Sequence, residues 1–243
     1  MSVLYKRYTS TQVLTPDVDP VEALIRGERY FKENFLRLLP VSRSSDILEV
    51  GCGYGKYLKI LQDYDYKTCC GIDLSEEQVA YAKEKLGLSN VCHGDAVDWL
   101  SDKTDRFDCV LAIDVLEHLE VGSLIKLMER IAGALRPGGV LIVQVPNGKS
   151  PMNPIIYGDL THHRAFTPNS LRQLGLHCGL QPVVFREIPP TVFSIKSAVQ
   201  RLIWSVCIQP LLGLIFRMIH GKAYGGHIYS ANIIACFQKQ IKN

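Results

Sequence analysis

The 243-residue sequence lacks several patterns that would assign it to other classes of protein. Its eight cysteines form no C-x-x-C pair and no cysteine–histidine spacing typical of zinc sites. Residues 1–19 contain no apolar stretch of the kind that secretion signals carry, so we expect a cytoplasmic protein. We therefore expect reduced thiols, of which five should behave as small apolar residues in core strands: Cys69, Cys70, Cys92, Cys109 and Cys236.

The chain also has little excess of one charge over the other. The net charge is only +3, and the basic residues form no dense stripe interleaved with aromatic residues, so we predict no nucleic-acid partner. With 47% hydrophobic and 21% charged residues the chain has the composition of a globular protein. Its length is enough to bury one large α/β core, and we expect a single domain over residues 1–243.

The most informative residues that are present form a glycine-rich turn and a distal acid. Residues 47–50 read as a buried strand, and the glycines that follow at alternate positions, Gly51, Gly53 and Gly55, allow a sharp turn before a helical pattern begins. A second strand at residues 68–72 ends at Asp73. Open parallel sheets bind ligands at this end of their strands, where a carboxylate can accept both ribose hydroxyls. The pattern predicts a nucleoside-containing ligand.

The spacing of the glycines separates two classes of nucleoside-binding protein. The spacing here is G-x-G-x-G, whereas dinucleotide-binding proteins carry G-x-G-x-x-G, so a nicotinamide-dependent oxidoreductase is disfavoured. Three more strands follow, at residues 90–93, 107–114 and 140–145. Gly94-Asp95-Ala96 follows the third strand, and Leu135-Arg136-Pro137-Gly138-Gly139 precedes the fifth.

With these segments, the glutamate before the glycines and Asp114-Val115-Leu116-Glu117-His118, the chain resembles the class I S-adenosylmethionine-dependent methyltransferases over about residues 20–188. The resemblance implies an α/β Rossmann-like sheet of seven strands, mostly parallel with a reversed last strand, with helices on both faces. It implies S-adenosylmethionine as cofactor and S-adenosylhomocysteine as product. It also implies that Glu49 acts mainly through water, and that the cofactor contacts Gly51, Cys52, Gly53 and Gly55 at its methionine part, Asp73 and Leu74 at its ribose, Asp95 and Ala96 at its adenine, and Ile113 and Asp114 at its ammonium group.

Two histidines are candidates for the base that a hydroxyl acceptor would need, because histidine titrates near neutral pH. His118 follows the fourth strand, in a segment that resembles the acid-x-x-Glu-His run of ubiquinone-pathway O-methyltransferases. There the acids and the histidine are implicated in metal binding. Because Asp114 replaces the expected glutamate, we predict no metal at Asp114, Glu117 and His118. A helix-start histidine bonded to backbone is the alternative for His118.

The second candidate lies in residues 159–167, which resemble the D-x-T-H-x-R-x-F-T run of methyltransferases from glycan and small-metabolite pathways. The resemblance implies that this segment faces the acceptor and that His162, rather than His163, is the base. Arg164 would bind an acidic group or hold the loop. The alternative is a polar loop whose histidines only cap backbone groups.

Two segments should cover this core. A helix predicted over residues 20–39 has an apolar face that includes Ala23, Leu24, Tyr30, Phe31, Phe35 and Leu38, and we expect residues 1–40 to form a lid over the cofactor. Further helices are expected at residues 76–86, 122–135 and 168–178, and strands at 182–187 and 228–237.

The main departure from the family pattern is an apolar, basic insertion at residues 189–227, between the sixth and seventh strands. Residues 1–187 carry 21 basic and 24 acidic residues, whereas residues 188–243 carry six basic and no acidic ones. Polar residues recur every fourth position along a predicted helix at residues 194–209, and Pro210 should break or kink it. The apolar face over residues 194–219 needs a cover: the catalytic domain itself, a second subunit, or an anionic membrane.

Together these features predict methyl transfer from S-adenosylmethionine to an oxygen of a small-molecule, sugar or lipid-linked acceptor. The alternative is a catalytically silent cofactor-binding module that serves as an assembly or regulatory subunit through the insertion. The histidines at both candidate positions argue against that alternative.

Overall fold

The computed structural model describes residues 20–221 and 227–241, and side chains from residue 25 onward, so the expectations for Ala23 and Leu24 lie outside the described residues. Seven strands form one sheet in the order β3-β2-β1-β4-β5-β7-β6. β7 is antiparallel to both of its neighbours, and the other pairs are parallel. The predicted fold is confirmed. The strands are β1 (Ile47–Val50), β2 (Cys69–Asp73), β3 (Val91–His93), β4 (Phe107–Ile113), β5 (Leu135–Pro146), β6 (Leu180–Glu187) and β7 (Asn232–Lys239).

Helices cover both faces of the sheet, because successive residues of a buried strand point to opposite sides. In β4, Val110 and Ala112 pack in one apolar cluster with α5 and α7, while Cys109 and Leu111 pack in the other with α1, α2 and α3. The helices of this core are α1 (Pro20–Asn34), α2 (Lys56–Asp63), α3 (Glu76–Leu86), α4 (Ala96–Trp99), α5 (Val121–Ala134), α6 (Pro154–Gly158) and α7 (Pro168–His177).

The strand order reverses at β1, which lies between β2 and β4. Connections leave β1 and β4 toward opposite sides of such a sheet, so a crevice opens at the carboxyl ends of these strands. β1, β2 and β4 end there at Val50, Asp73 and Ile113, next to the segments that the sequence singled out.

Several boundaries differ from those expected. α1 ends at Asn34, not at residue 39, and the Asn34 amide donates to the Tyr30 carbonyl in its last turn (2.9 Å). β7 begins at Asn232 rather than at residue 228, because the buried Asn147 amide binds the carbonyls of Ile228 and Ser230 and holds this segment outside the strand. Cys92 is exposed, although it lies in a strand.

The insertion contains one continuous helix, not two. α8 (Ile195–Ile203), a π-helical turn (Trp204–Ile208) and α9 (Gln209–His220) together form the insertion helix, Ile195–His220. Of the two effects expected of Pro210, a break or a kink, the break does not occur, because the helix continues through this residue. Proline has no N–H to donate, and its ring crowds the carbonyl four residues earlier. Here a wider π-helical turn ends at Ile208, two residues before Pro210.

Candidate active site

A cavity of about 480 Å³ opens at the carboxyl ends of β1, β2 and β4. It brings together residues from the glycine turn, the end of β2, the start of α4 and the end of β4. Of the residues predicted for the site, it is lined by Glu49, Gly51, Cys52, Gly53, Asp73, Leu74, Asp95, Ala96, Ile113, Asp114 and His118. Gly55 and His162 are not part of this lining.

The glycine turn brings bare backbone to the cavity wall. Gly51 has a φ of 67°, and a Cβ atom there would lie 2.4 Å from Cγ2 of Val115, so neither the conformation nor the space admits a side chain. Gly55, also expected at the cofactor, is restricted by its neighbours as well. Its φ is 83°, it begins α2, and a Cβ atom would lie 2.3 Å from Cδ1 of Leu88, which makes it a packing position beside the cavity.

Asp73 joins the glycine turn to the end of β2. Its Oδ2 accepts from the Gly53 amide (2.7 Å) and its Oδ1 accepts from the Ser75 amide (2.8 Å). Burial raises the pKa of Asp73, while these two hydrogen bonds act in the opposite direction. Each carboxylate oxygen has a second lone pair, so the group can still accept a hydroxyl at each oxygen.

The cavity lining also combines two acids with one lysine. Asp114 has a left-handed φ of 55°, and both of its carboxylate oxygens accept from Nε2 of Gln144 (3.0 and 2.9 Å). Glu49 is buried, which raises its pKa to about 8, and within the described residues its Oε2 has no hydrogen-bond partner. Burial lowers the pKa of Lys56, while Asp114 and Glu49 act to raise it.

α1 packs against the residues that surround Asp114 and Lys56. The Tyr30 hydroxyl donates to Oε1 of Gln144 (2.5 Å), the amide that holds Asp114. A Cβ atom on Gly27 would lie 2.9 Å from Cδ of Lys56, so the helix backbone packs on the lysine stem. The rings of Phe31 and Tyr57 stack at 5.3 Å.

Two histidines meet at the edge of the cavity. The rings of His118 and His162 are 4.6 Å apart. Thr161 donates to Oδ1 of Asp159 (2.6 Å), so at its contact with His118 (2.8 Å) the ring Nδ1–H is the donor. Burial, followed by the neighbouring His162, lowers the pKa of His118 to about 4. Nδ1 of His162 lies 3.1 Å from the Ile155 carbonyl, which only accepts, so Nε2 carries the lone pair of the neutral ring.

Glu117 lies next to the histidine pair. Its side chain is buried, and neither carboxylate oxygen has a hydrogen-bond partner within residues 20–221 and 227–241. Burial, followed by the nearby Asp114, raises its pKa well above the usual range. Glu117, His118 and His162 each offer a ligand atom within 4.8 Å of the others. This set differs from the one weighed from the sequence, because His162 replaces Asp114.

The structure adds three residues to which the sequence had given no role. Lys56 follows the last glycine of the turn directly, Gln144 lies near the carboxyl end of β5, and Thr161 precedes His162. The sequence offered one signal for them, their closeness to the motifs. A lysine at a helix start, a glutamine in a strand and a threonine in a loop are otherwise ordinary polar residues. His163 is exposed, and its backbone amide donates to the Glu117 carbonyl (2.8 Å).

Comparison with known proteins agrees with this geometry. A family model described as a methyltransferase domain matches residues 24–184. The chain belongs to the class I S-adenosylmethionine-dependent methyltransferases. Its cofactor is S-adenosylmethionine, and the methyltransferase residues fit that molecule: a bare backbone turn, an acid that can take two hydroxyls, and buried carboxylates with an unmatched oxygen for an ammonium group.

Trans-aconitate 2-methyltransferase of Paracidovorax citrulli is 30% identical over 115 residues, which cover 47% of this methyltransferase and 44% of the relative. The ubiquinone biosynthesis O-methyltransferase of Bradyrhizobium diazoefficiens is 32% identical over 126 residues, 49% of this chain and 46% of the relative. The chain thus spans less than half the length of these relatives. A methyltransferase structure from Archaeoglobus fulgidus has a TM-score of 0.64 over 91% of this chain and 100% of its own, at 19% identity, and shares the fold.

Proposed function

We propose that this methyltransferase transfers a methyl group to an oxygen of a small-molecule, sugar or lipid-linked acceptor in the cytoplasm. The observation that carries the proposal is the histidine pair, His118 and His162, at the edge of the cofactor cavity. Two relatives are named for trans-aconitate and for O-methylation in ubiquinone biosynthesis, which supports a small molecule and an oxygen acceptor.

The roles proposed for the cofactor residues rest on the family resemblance and on their places in the cavity lining. Asp73 accepts the ribose hydroxyls, with Leu74 beside it, and Asp95 and Ala96 border the adenine. Glu49 and Asp114 bind the ammonium group, and Gly51, Cys52, Gly53 and Ile113 supply backbone around the methionine part. Of the lid expected over residues 1–40, residues 1–19 lie outside the described part of the chain; α1 acts as the lid, and its Tyr30 and Gly27 contact the Gln144–Asp114 pair and Lys56.

The chemistry proposed for the acceptor side is a single proton transfer. The cofactor supplies an activated methyl group, so alignment and exclusion of water provide much of the acceleration, roughly 7–11 kcal/mol in well-oriented reactions. Nε2 of His162 takes the acceptor proton as the oxygen forms its bond to the methyl carbon and the carbon–sulfur bond breaks. A positioned base contributes about 10²- to 10⁴-fold.

His162 suits this role better than His118 does. A base works best when its pKa lies near the working pH, and burial lowers the pKa of His118 to about 4. His118 is held by Thr161 and Asp159 and contacts the His162 ring, so its proposed role is to position His162.

A divalent cation is a second candidate for activating the acceptor. The observation in its favour is the buried Glu117 carboxylate, which has no partner within the described residues and lies within 4.8 Å of ligand atoms of both histidines. Loss of activity with a chelator, restored by added cation, would favour this mechanism over a histidine base.

The direct test is methyl transfer from a radiolabelled donor in a cell extract. We expect label in the organic or sugar-containing fraction, and we expect the double variant His118→Ala, His162→Ala to lose it. Recovery of label in protein or nucleic acid would contradict the proposed acceptor class. Tight cofactor binding without label in any fraction would favour the silent assembly or regulatory module.

A further inference from the structure

The insertion helix, Ile195–His220, leaves its apolar side uncovered. Within its most apolar 18-residue window only 6% is buried, and by length and composition it could cross a membrane. Large apolar side chains are exposed on every turn, to between 40% and 87%: Ile195, Val199, Leu202, Ile203, Val206, Ile208, Leu211, Leu214, Ile215, Met218 and Ile219.

The polar side of the same helix faces the protein. Arg201 pairs with Glu33 of α1 (2.8 Å), Nε1 of Trp204 donates to Oε1 of Glu187 (2.9 Å), and the Gln209 amide donates to the other oxygen of Glu187. A helix at the surface of a soluble domain normally has the opposite orientation, with its apolar side toward the core. The catalytic domain, one of the three expected covers, is therefore not the cover of this face among the described residues.

These polar contacts also determine how the helix can meet a partner. They hold it along the surface of the domain at Arg201, Trp204 and Gln209, so it cannot turn to span a bilayer without breaking them. The uncharged run Leu202–Phe216 is 15 residues, shorter than the ~20 that a spanning helix needs. Lys196 and Arg217 lie near its two ends, where long basic side chains can reach lipid head groups.

The charge of the helix itself distinguishes the two remaining covers. It carries Lys196, Arg201 and Arg217 and no acidic residue, so two copies that met through this face would bring like charges together. A surface of anionic lipid supplies the opposite charge and an apolar layer at once. We propose that the insertion helix lies in the surface of an anionic phospholipid membrane, with its apolar side among the acyl chains.

The same contact would bring the acceptor side of the site to the lipid. The Lys149 ammonium, just after β5, lies 5.4 Å from the ring of Phe216 in the insertion helix. The loop that continues from Lys149 toward His162 exposes Met152, Tyr157 and Leu160 to more than 80%. Membrane binding does not depend on the proposed reaction. The idea that the acceptor is lipid-linked does rest on that reaction.

The test is co-sedimentation of the whole protein with vesicles of phosphatidylcholine, alone or mixed with phosphatidylglycerol. We expect salt-sensitive binding to the mixed vesicles and little to phosphatidylcholine alone. The variant Leu202→Gln, Val206→Gln, Met218→Gln should bind the mixed vesicles about tenfold more weakly or worse. Its matched control is Val41→Gln, Val121→Gln, Leu176→Gln, which changes exposed apolar residues elsewhere and should bind like the parent.

A charge variant and a cofactor measurement complete the design. Lys196→Gln, Arg217→Gln should weaken binding, whereas Lys83→Gln, Lys85→Gln on α3 should not. All variants should bind S-adenosylmethionine like the parent, which shows that they are folded. Equal vesicle binding by the apolar-face variant and its control would overturn the proposal. So would a parent that ignores anionic vesicles and forms a dimer that this variant dissociates, because a second copy would then be the cover.

Discussion

At the scale of single residues, two acids and one lysine in the cavity match the charges of the ligand's amino-acid part. The amino-acid part of S-adenosylmethionine has an ammonium group and a carboxylate, while its ribose and adenine are neutral. Glu49 and Asp114 line the cavity together with Lys56, whose stem is packed under Gly27 of α1. The two acids attract the ammonium group of the cofactor but repel its carboxylate. The positive charge of Lys56 therefore balances the charge of that carboxylate.

Lys56→Met should therefore weaken the binding of S-adenosylmethionine by about tenfold or more, since hydrogen bonds to charged groups contribute roughly 1.5–3 kcal/mol. Binding of 5′-methylthioadenosine, which lacks the amino-acid part, should change little. Calorimetry with both ligands measures the difference. Lys59→Met is the control, because Lys59 lies on the same helix and pairs with Asp63 at the surface. An equal loss for both ligands would mean that Lys56 only supports the fold of the site.

His162 is half-buried and its ring contacts the Ile155 carbonyl, whereas His163 is exposed, so variants of these two histidines should differ in kinetics. His162→Ala should lower kcat by about 10²-fold or more with little change in cofactor affinity, because the base acts in the transition state. His163→Ala changes the exposed neighbour and should have parental turnover. Steady-state rates and a pH profile check this. If His162→Ala keeps the parental kcat and pH profile, the base is elsewhere.

At the scale of elements, α1 connects the lid to the chemistry through one hydroxyl. Tyr30 donates to Gln144, and Gln144 donates to both oxygens of Asp114, so closure of the helix and orientation of the acid depend on the same amide. Burial, followed by the charge of Asp114, raises the pKa of Tyr30, so the phenol keeps its proton and remains a donor.

Tyr30→Phe should speed the dissociation of S-adenosylmethionine by roughly two- to tenfold, the effect of losing a hydrogen bond worth about 0.5–1.5 kcal/mol. Stopped-flow displacement of the bound cofactor measures the rate. Tyr64→Phe is the matched control, since that phenol bonds Glu28 at the surface (3.4 Å). Equal dissociation rates in the parent and Tyr30→Phe would show that α1 does not hold the cofactor through this contact.

The elements that the sequence predicted well are those whose pattern has one structural solution. A buried strand followed by alternate glycines and a helix leads to the turn at Gly51, and Asp73 is the last residue of β2, at its carboxyl end. The insertion helix was harder, because a polar stripe on an apolar helix does not tell which side meets the protein. Of the two acids that bind the polar side, Glu33 lies 168 residues from Arg201 in sequence, and Glu187 lies in β6, before the insertion. Similarly, the contact between His162 and His118 could not be predicted, because it depends on the loop conformation that Thr161 and Asp159 stabilise.

At the scale of the whole molecule, the site contains carboxyl groups whose ionisation the fold disfavours. Glu49 and Glu117 are buried and Asp114 lines the cavity, and loss of solvation is the largest cause of the raised pKa of each. Groups of this kind favour the protonated state in the folded protein, while the unfolded chain ionises them at ordinary pH. The cost of the site should therefore depend on pH and on the cofactor.

Glu49 gives this dependence a measurable sign. Its pKa is raised from 4.5 to about 8 on folding, so its contribution to stability is fully present below the unfolded value and is lost as the pH rises through the folded one. Between about pH 5 and about pH 8 the cofactor-free parent should thus lose stability relative to Glu49→Gln, whose amide does not titrate. Thermal melting of both proteins across this range measures the difference in Tm. Glu84→Gln on the exposed side of α3 is the control, and its difference from the parent should stay constant.

S-adenosylmethionine should reduce that dependence, because a bound ammonium group near Glu49 favours the carboxylate and lowers its pKa. The Tm difference between the parent and Glu49→Gln should then change less with pH in saturating cofactor than without it. A difference that is independent of pH in the cofactor-free proteins would show that Glu49 is already ionised in the folded chain. A difference that cofactor leaves unchanged would instead place the ammonium group away from Glu49 and assign it to Asp114.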